Sequence, residues 1–120
     1  MIAANNLASL LSDHRNDKAS LERAHTLVAG LRETQIPQFK DTLGWVSYRR
    51  DDYVNAVPLL EKAVAGLPNA ALVRYHLAMS YIAVGQSEKA SEQLKAALLL
   101  APDPELAGKV QEALRKLQNG

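Results

Sequence analysis

Three histidines, His14, His25 and His76, are the side chains best able to ligate a metal or carry a proton near neutral pH. Their spacing supports neither role. No H-E-x-x-H pair puts two of them on one helix face, and with no cysteine in 120 residues there is no thiolate to complete a zinc site or act as a nucleophile. Each therefore reads as a surface or packing histidine. Asp51-Asp52 is the nearest approach to a carboxylate pair, but it sits at a break between two apolar runs and reads as turn and cap acid. The serines lack a G-x-S-x-G elbow, and no glycine-rich loop offers backbone amides to a phosphate. The chain is expected to be non-enzymatic, with no catalytic residue, no metal and no cofactor.

The bulk composition narrows the partners. Lys and Arg number 14 against 13 Asp and Glu, for a net charge of +1, and the signs are interleaved. A nucleic-acid or anionic-membrane partner leaves a basic patch or a basic helix face, and neither is visible. The longest apolar run, Ala96 to Ala101, is too short to span a bilayer, and no basic stretch followed by an apolar core opens the chain. A soluble single domain without direct membrane insertion is expected, with specific protein or peptide binding as the remaining class of function.

The elements that must position any binding residue are helices. Apolar residues recur at helical spacing, and β-branched clusters with strict alternation are missing. One helix is expected from Pro37 to about Arg49, a second from Tyr53 to about Ala65, a third from Ala70 to Val84 and a fourth from Ser87 to Leu100. Gly85 falls in a turn where a left-handed backbone suits glycine, and Asn69 and Ser87 are expected N-caps. Pro58 lies inside the second of these helices, which is expected to start or bend near it. After Pro102, Asp103-Pro104 gives an N-cap followed by a proline at the first helical position. Leu106, Val110, Ala113, Leu114 and Leu117 then form one apolar stripe, with Glu105–Lys109 and Glu112–Lys116 pairs on the other face.

The chain repeats itself at an offset of 34 residues. Leu43 falls on Leu77, Gly44 on Ala78, Ala56 on Ala90, Leu60 on Leu94, Ala63 on Ala97 and Pro68 on Pro102. A looser copy precedes them: Leu7, Ala8 and Leu11 match Leu43, Gly44 and Ser47 at an offset of 36, and Ala24, Val28 and Leu31 match Ala56, Leu60 and Ala63 at 32. The extra residues enter at Asp13-His14-Arg15-Asn16-Asp17, a polar turn where insertion costs little. Periods of this length mark helix pairs that cannot bury their apolar faces alone and must stack.

Gly44 and Ala78, with Ala56, Ala63, Ala90 and Ala97 and the closing prolines, resemble the tetratricopeptide repeat. Lys40 and Arg74 stand where its signature has tryptophan, Ser47 replaces the tyrosine that Tyr81 keeps, and Leu60 and Leu94 replace an aromatic. The resemblance implies an all-α, right-handed α-solenoid of three helix pairs plus a C-terminal capping helix. Repeat 1 would cover about 1–34, repeat 2 37–68, repeat 3 70–102 and the cap 103–118. The wording around Asn5-Asn6-Leu7-Ala8, Asp41-Thr42-Leu43-Gly44-Trp45 and Arg74-Tyr75-His76-Leu77-Ala78 is also similar to the C-terminal repeats of bacterial proteins of this family, some associated with exopolysaccharide export and the cell envelope. That likeness implies a bacterial source and favours a periplasmic, envelope-side setting over the cytoplasm.

In this family the first helix of each unit lines a concave groove. The resemblance therefore implies that Asn5 and Asn6 stand at a polar end, with Asp41, Trp45, Tyr48, Arg49, Tyr75, His76, Met79 and Ile82 toward an aromatic and thioether end suited to anchor a partner. Two roles stay open for Trp45, groove anchor or packing, either between adjacent helices or against the C-terminal helix. The family's clamp for chaperone C-terminal tails uses lysine, asparagine and arginine. The matching slots here hold Asn5, Ser9, Thr42, Leu72 and His76 without a fixed positive charge, so chaperone tails are disfavoured. The implied function is a protein-interaction module that holds a peptide in the groove. A terminal segment of a longer scaffold, a homodimer and a small secretion-type chaperone are the other readings.

Overall fold

Pro37 has no amide to leave unsatisfied and a φ already close to helical, so it opens a helix cheaply. In the computed structural model of the protein α1 starts there and runs Pro37–Arg49, followed by α2 (Tyr53–Gly66), α3 (Ala71–Ala83), α4 (Ser87–Leu99) and α5 (Pro104–Asn119). The structure describes residues 35–100 and 103–119, together with 19, 21–23 and 26, which are also helical. Among the described residues every regular element is a helix. Asn5, Asn6, His14, His25 and the insertion at 13–17 lie outside them, as does most of the first helix pair.

Each helix packs against its neighbour in sequence, and α1 also touches α3. The pairing depends on small residues. A Cβ added to Gly44 would sit 2.7 Å from Leu60 Cγ and 3.2 Å from Leu59 Cβ, so only glycine lets α2 lie this close to α1. In the next pair Ala78 takes the same place, and Leu94 stands where Leu60 stood. Leu60 and Leu94 are fully buried, and so are Ala56, Ala63, Ala90 and Ala97 on the facing sides of α2 and α4. Larger side chains at these alanines would push each pair apart.

The turns within the pairs are copies of one another. Asp51 has φ 64° and Gly85 has φ 80°. In the first turn the Asp52 amide donates to Ser47 O and the Asp51 amide to Tyr48 O; in the second the Gln86 amide donates to Tyr81 O and the Gly85 amide to Ile82 O. This double closure satisfies the last carbonyls of α1 and α3. It also displaces an expected cap. Asp52 and Gln86 finish one helix and are already the N-cap residues of the next, so Ser87 becomes the first residue of α4 and cannot cap it. Asn69 is displaced in a similar way, because the turn before α3 closes with the Ala70 amide on Leu67 O and Ala70 holds the N-cap position. Asp103 does cap α5, its Oδ1 accepting the Leu106 amide at 3.0 Å.

Pro58 neither starts α2 nor ends it, since the helix runs through it. The carbonyl that its ring leaves without a partner belongs to Val54, a residue 84% exposed, where water can replace the lost amide. Between units, the Tyr81 hydroxyl on α3 donates to Glu61 on α2 at 2.6 Å, and Arg50 holds both oxygens of Glu22. Arg74, which stands in the signature tryptophan position, donates to Pro68 O and to Gln93 and so ties the turn before α3 to α4.

Asp51 occupies, in left-handed conformation, the place that Gly85 fills without a Cβ penalty. Asp51→Gly should stabilise the fold by about 1 kcal/mol in urea denaturation, less whatever its exposed hydrogen bond from Tyr53 supplies. A loss of stability would show that the side-chain contact outweighs the backbone strain.

Candidate functional site

The first helices α1 and α3 lie side by side, and the residues between them form an aromatic cluster. The Trp45 ring stacks with Tyr48, at 4.7 Å and 15°, and with His76, at 4.0 Å and 18°. Tyr75 meets it in a tilted contact at 6.4 Å, and the Arg49 guanidinium lies 5.8 Å above it. Trp45 thus packs between adjacent first helices while remaining half-buried. Stacking of this kind contributes about 0.5–1.5 kcal/mol per pair beyond the area buried.

His76 is 6% exposed, and its Nδ1 lies 2.8 Å from Asp41 Oδ1, so the ring N–H donates to a largely buried carboxylate on the neighbouring helix. The two side chains join unit to unit and leave the surface to others. Arg49 remains at that surface beside the tyrosines. Burial pushes the Tyr48 and Tyr75 hydroxyls above their ordinary pKa, with the positive charge of Arg49 opposing the rise at both. Burial and the hydrogen bond to Glu61 push Tyr81 much further in the same direction.

Past the cluster, Tyr75, Met79 and Ile82 on α3 face α5 across a cleft of ≈ 700 Å³. The α5 wall is made by Gly108, Ala113 and Leu117, with Glu105, Lys109, Glu112 and Lys116 along it, and Ser87 closes one side. Nothing lies within 4 Å of where a Cβ on Gly108 would be, which leaves that part of the wall open. Lys109 pairs with Glu105 at 3.8 Å and Lys116 with Glu112 at 4.0 Å, so the charged residues run in alternating sign beside an apolar floor.

The structure brings eight of the expected groove residues to one side of the molecule. Trp45, Tyr48, Arg49 and Tyr75 share the cluster with the interior Asp41–His76 pair, while Met79 and Ile82 line the cleft with Tyr75. Asn5 and Asn6 lie outside the described residues. The α5 residues are what sequence reasoning missed, since the charged face of α5 borders the cleft instead of turning away from it. The repeat register contained the signal: adding 34 to Tyr75, Met79 and Ile82 gives Lys109, Ala113 and Lys116. In that register α5 is a further first helix.

Among known families, the one described as "Tetratricopeptide repeat" matches residues 48–117, from the last turn of α1 through nearly all of α5. The chain belongs to the tetratricopeptide repeat family. No curated protein matches it. The matched span takes in α5, the helix that forms the second wall of the cleft. Among the described residues, no helix is long and apolar enough to cross a membrane, and no group of three or more His, Asp or Glu could hold a metal ion.

The Asp41–His76 contact should couple the units measurably. His76→Ala and Asp41→Ala should each cost about 1–3 kcal/mol, because each strands a largely buried polar partner. A double-mutant cycle should return a coupling of at least ~0.5 kcal/mol. Additive losses would mean that Trp45 stacking alone holds His76 in place.

Proposed function

We propose that the protein binds a peptide segment of a partner protein in the groove formed by α1, α3 and α5. Tetratricopeptide repeats are generally protein-interaction modules. Peptide binding in this groove is the finer reading, and the observation that carries it is the cleft between α3 and α5. Tyr75, Met79, Ile82, Ala113 and Leu117 there offer apolar surface that none of the described residues fills. The cleft lies within the size range of sites that enclose several ligand side chains. Its residue types, an aromatic with a hydroxyl, a flexible thioether and branched aliphatics, favour binding through a few anchoring side chains. Neighbouring stacking already orders Trp45, Tyr48 and Tyr75, so a partner meets a preformed surface and less side-chain freedom is lost on association.

Selection of a random peptide library on the purified protein, followed by titration of the recovered peptides, tests the reading. Trp45, the single tryptophan, reports binding through its fluorescence. Tyr75→Ala should weaken binding by roughly 10- to 30-fold and Met79→Glu by at least as much, with helical circular dichroism unchanged. Affinities unaffected by both substitutions in folded protein would remove the groove as the binding site.

A further inference from the structure

The cations on and next to α1, α3 and α5 differ in their commitments. Lys109 and Lys116 face Glu105 and Glu112, Arg115 is held by Glu112, Arg50 by Glu22, and Arg74 by Pro68 O and Gln93. Arg49 is different. It is half-buried over the Trp45 ring, and no carboxylate among the described residues meets it. Asp41, the acid on its own helix, is engaged with His76. A partly buried guanidinium forgoes much of its hydration and recovers it best from a bidentate carboxylate.

The setting reinforces the sign. The phenols of Tyr48 and Tyr75 lie in the field of Arg49, and neutral phenols can donate hydrogen bonds to a bound oxygen anion. Across the cleft, Glu105, Lys109, Glu112 and Lys116 on α5 balance one another in charge, so no net negative charge in its lining opposes the sign of Arg49.

We propose that the groove selects peptides carrying an Asp or Glu side chain that pairs with Arg49, next to an apolar side chain that enters the cleft between α3 and α5. The selection rests on the peptide-binding reading above. It places the acid within the partner chain, not at its C-terminus, and it makes Arg49 the specificity-determining residue.

The test uses C-terminally amidated versions of the library-selected peptides, so that only side-chain carboxylates remain, each compared with its Glu→Gln or Asp→Asn counterpart by fluorescence anisotropy. The selected sequences should be enriched in Asp or Glu beside apolar residues. Removing the acid should weaken binding about tenfold to the native protein, less at high salt, and hardly at all to Arg49→Gln, while Arg49→Lys keeps part of the difference. Absence of acidic enrichment, equal binding of acid and amide forms, or a difference that survives in Arg49→Gln would overturn the proposal. If Met79→Glu still abolishes binding in those cases, the groove reading stands without it. If no peptide is recovered, or if neither Tyr75→Ala nor Met79→Glu matters, both readings fail. Sedimentation of the same proteins covers the other occupant: self-association lost in Met79→Glu and not displaced by peptide would assign the cleft to a second copy.

Discussion

The contact between Gly44 and Leu60, whose positions in the next pair are held by buried Ala78 and Leu94, is the constraint on which the rest of this structure depends. The approach leaves no room for a side chain at Gly44, with Leu60 Cγ 2.7 Å from the vacant Cβ position. Such closeness lets the alanines of α2 and α4 bury completely and joins each pair through a turn of three residues, 50–52 or 84–86. Once two pairs of this shape stack, their first helices come to lie side by side. The outward side chains of α1 and α3 are then excused from intra-pair packing, and they are the ones the proposed binding would use.

Those side chains do not all remain available. The stack of Tyr48, Trp45 and His76, with Asp41 bonded to the imidazole, uses four of the residues expected in the groove to hold one unit against the next. The cost is some free surface, and the return is a rigid aromatic wall. Accessible apolar surface consequently moves toward α5, where the helix presents glycine, alanine and leucine to Tyr75, Met79 and Ile82. Adhesion between units and the proposed recognition surface thus divide along the groove, with Tyr75 belonging to both parts.

Much of the fold was legible because its determinants are local or strictly periodic. The echo of Leu43, Gly44, Ala56, Leu60 and Ala63 at 34 residues exposes the small-residue interface, and Gly85 announces a left-handed turn. Asp51 was harder to read, since aspartate is a general turn residue and its positive φ shows only through its equivalence to Gly85. The caps at Asn69 and Ser87 misled because backbone turn bonds and not side-chain type set where the next helix opens: Gln86 both closes α3 and opens α4, and the Ala70 amide on Leu67 O puts Ala70 at the start of α3. Pro58 was tolerated because solvent reaches the orphaned carbonyl, which no local pattern encodes. The role of α5 was hidden for another reason: amphipathic periodicity says which stripe is buried, but only the stacking register says what the remaining face looks onto.

Binding on the first-helix face is the claim most worth testing directly, and methyl resonances from both faces can decide it in one spectrum. Adding a library-selected peptide should shift Met79, Ile82 and Leu117, while Val54 on α2 and Leu99 on α4, at 84% and 87% exposure the most accessible large apolar side chains among the described residues, stay still. Shifts concentrated at Val54 and Leu99, with Met79 and Leu117 unmoved, would contradict the account.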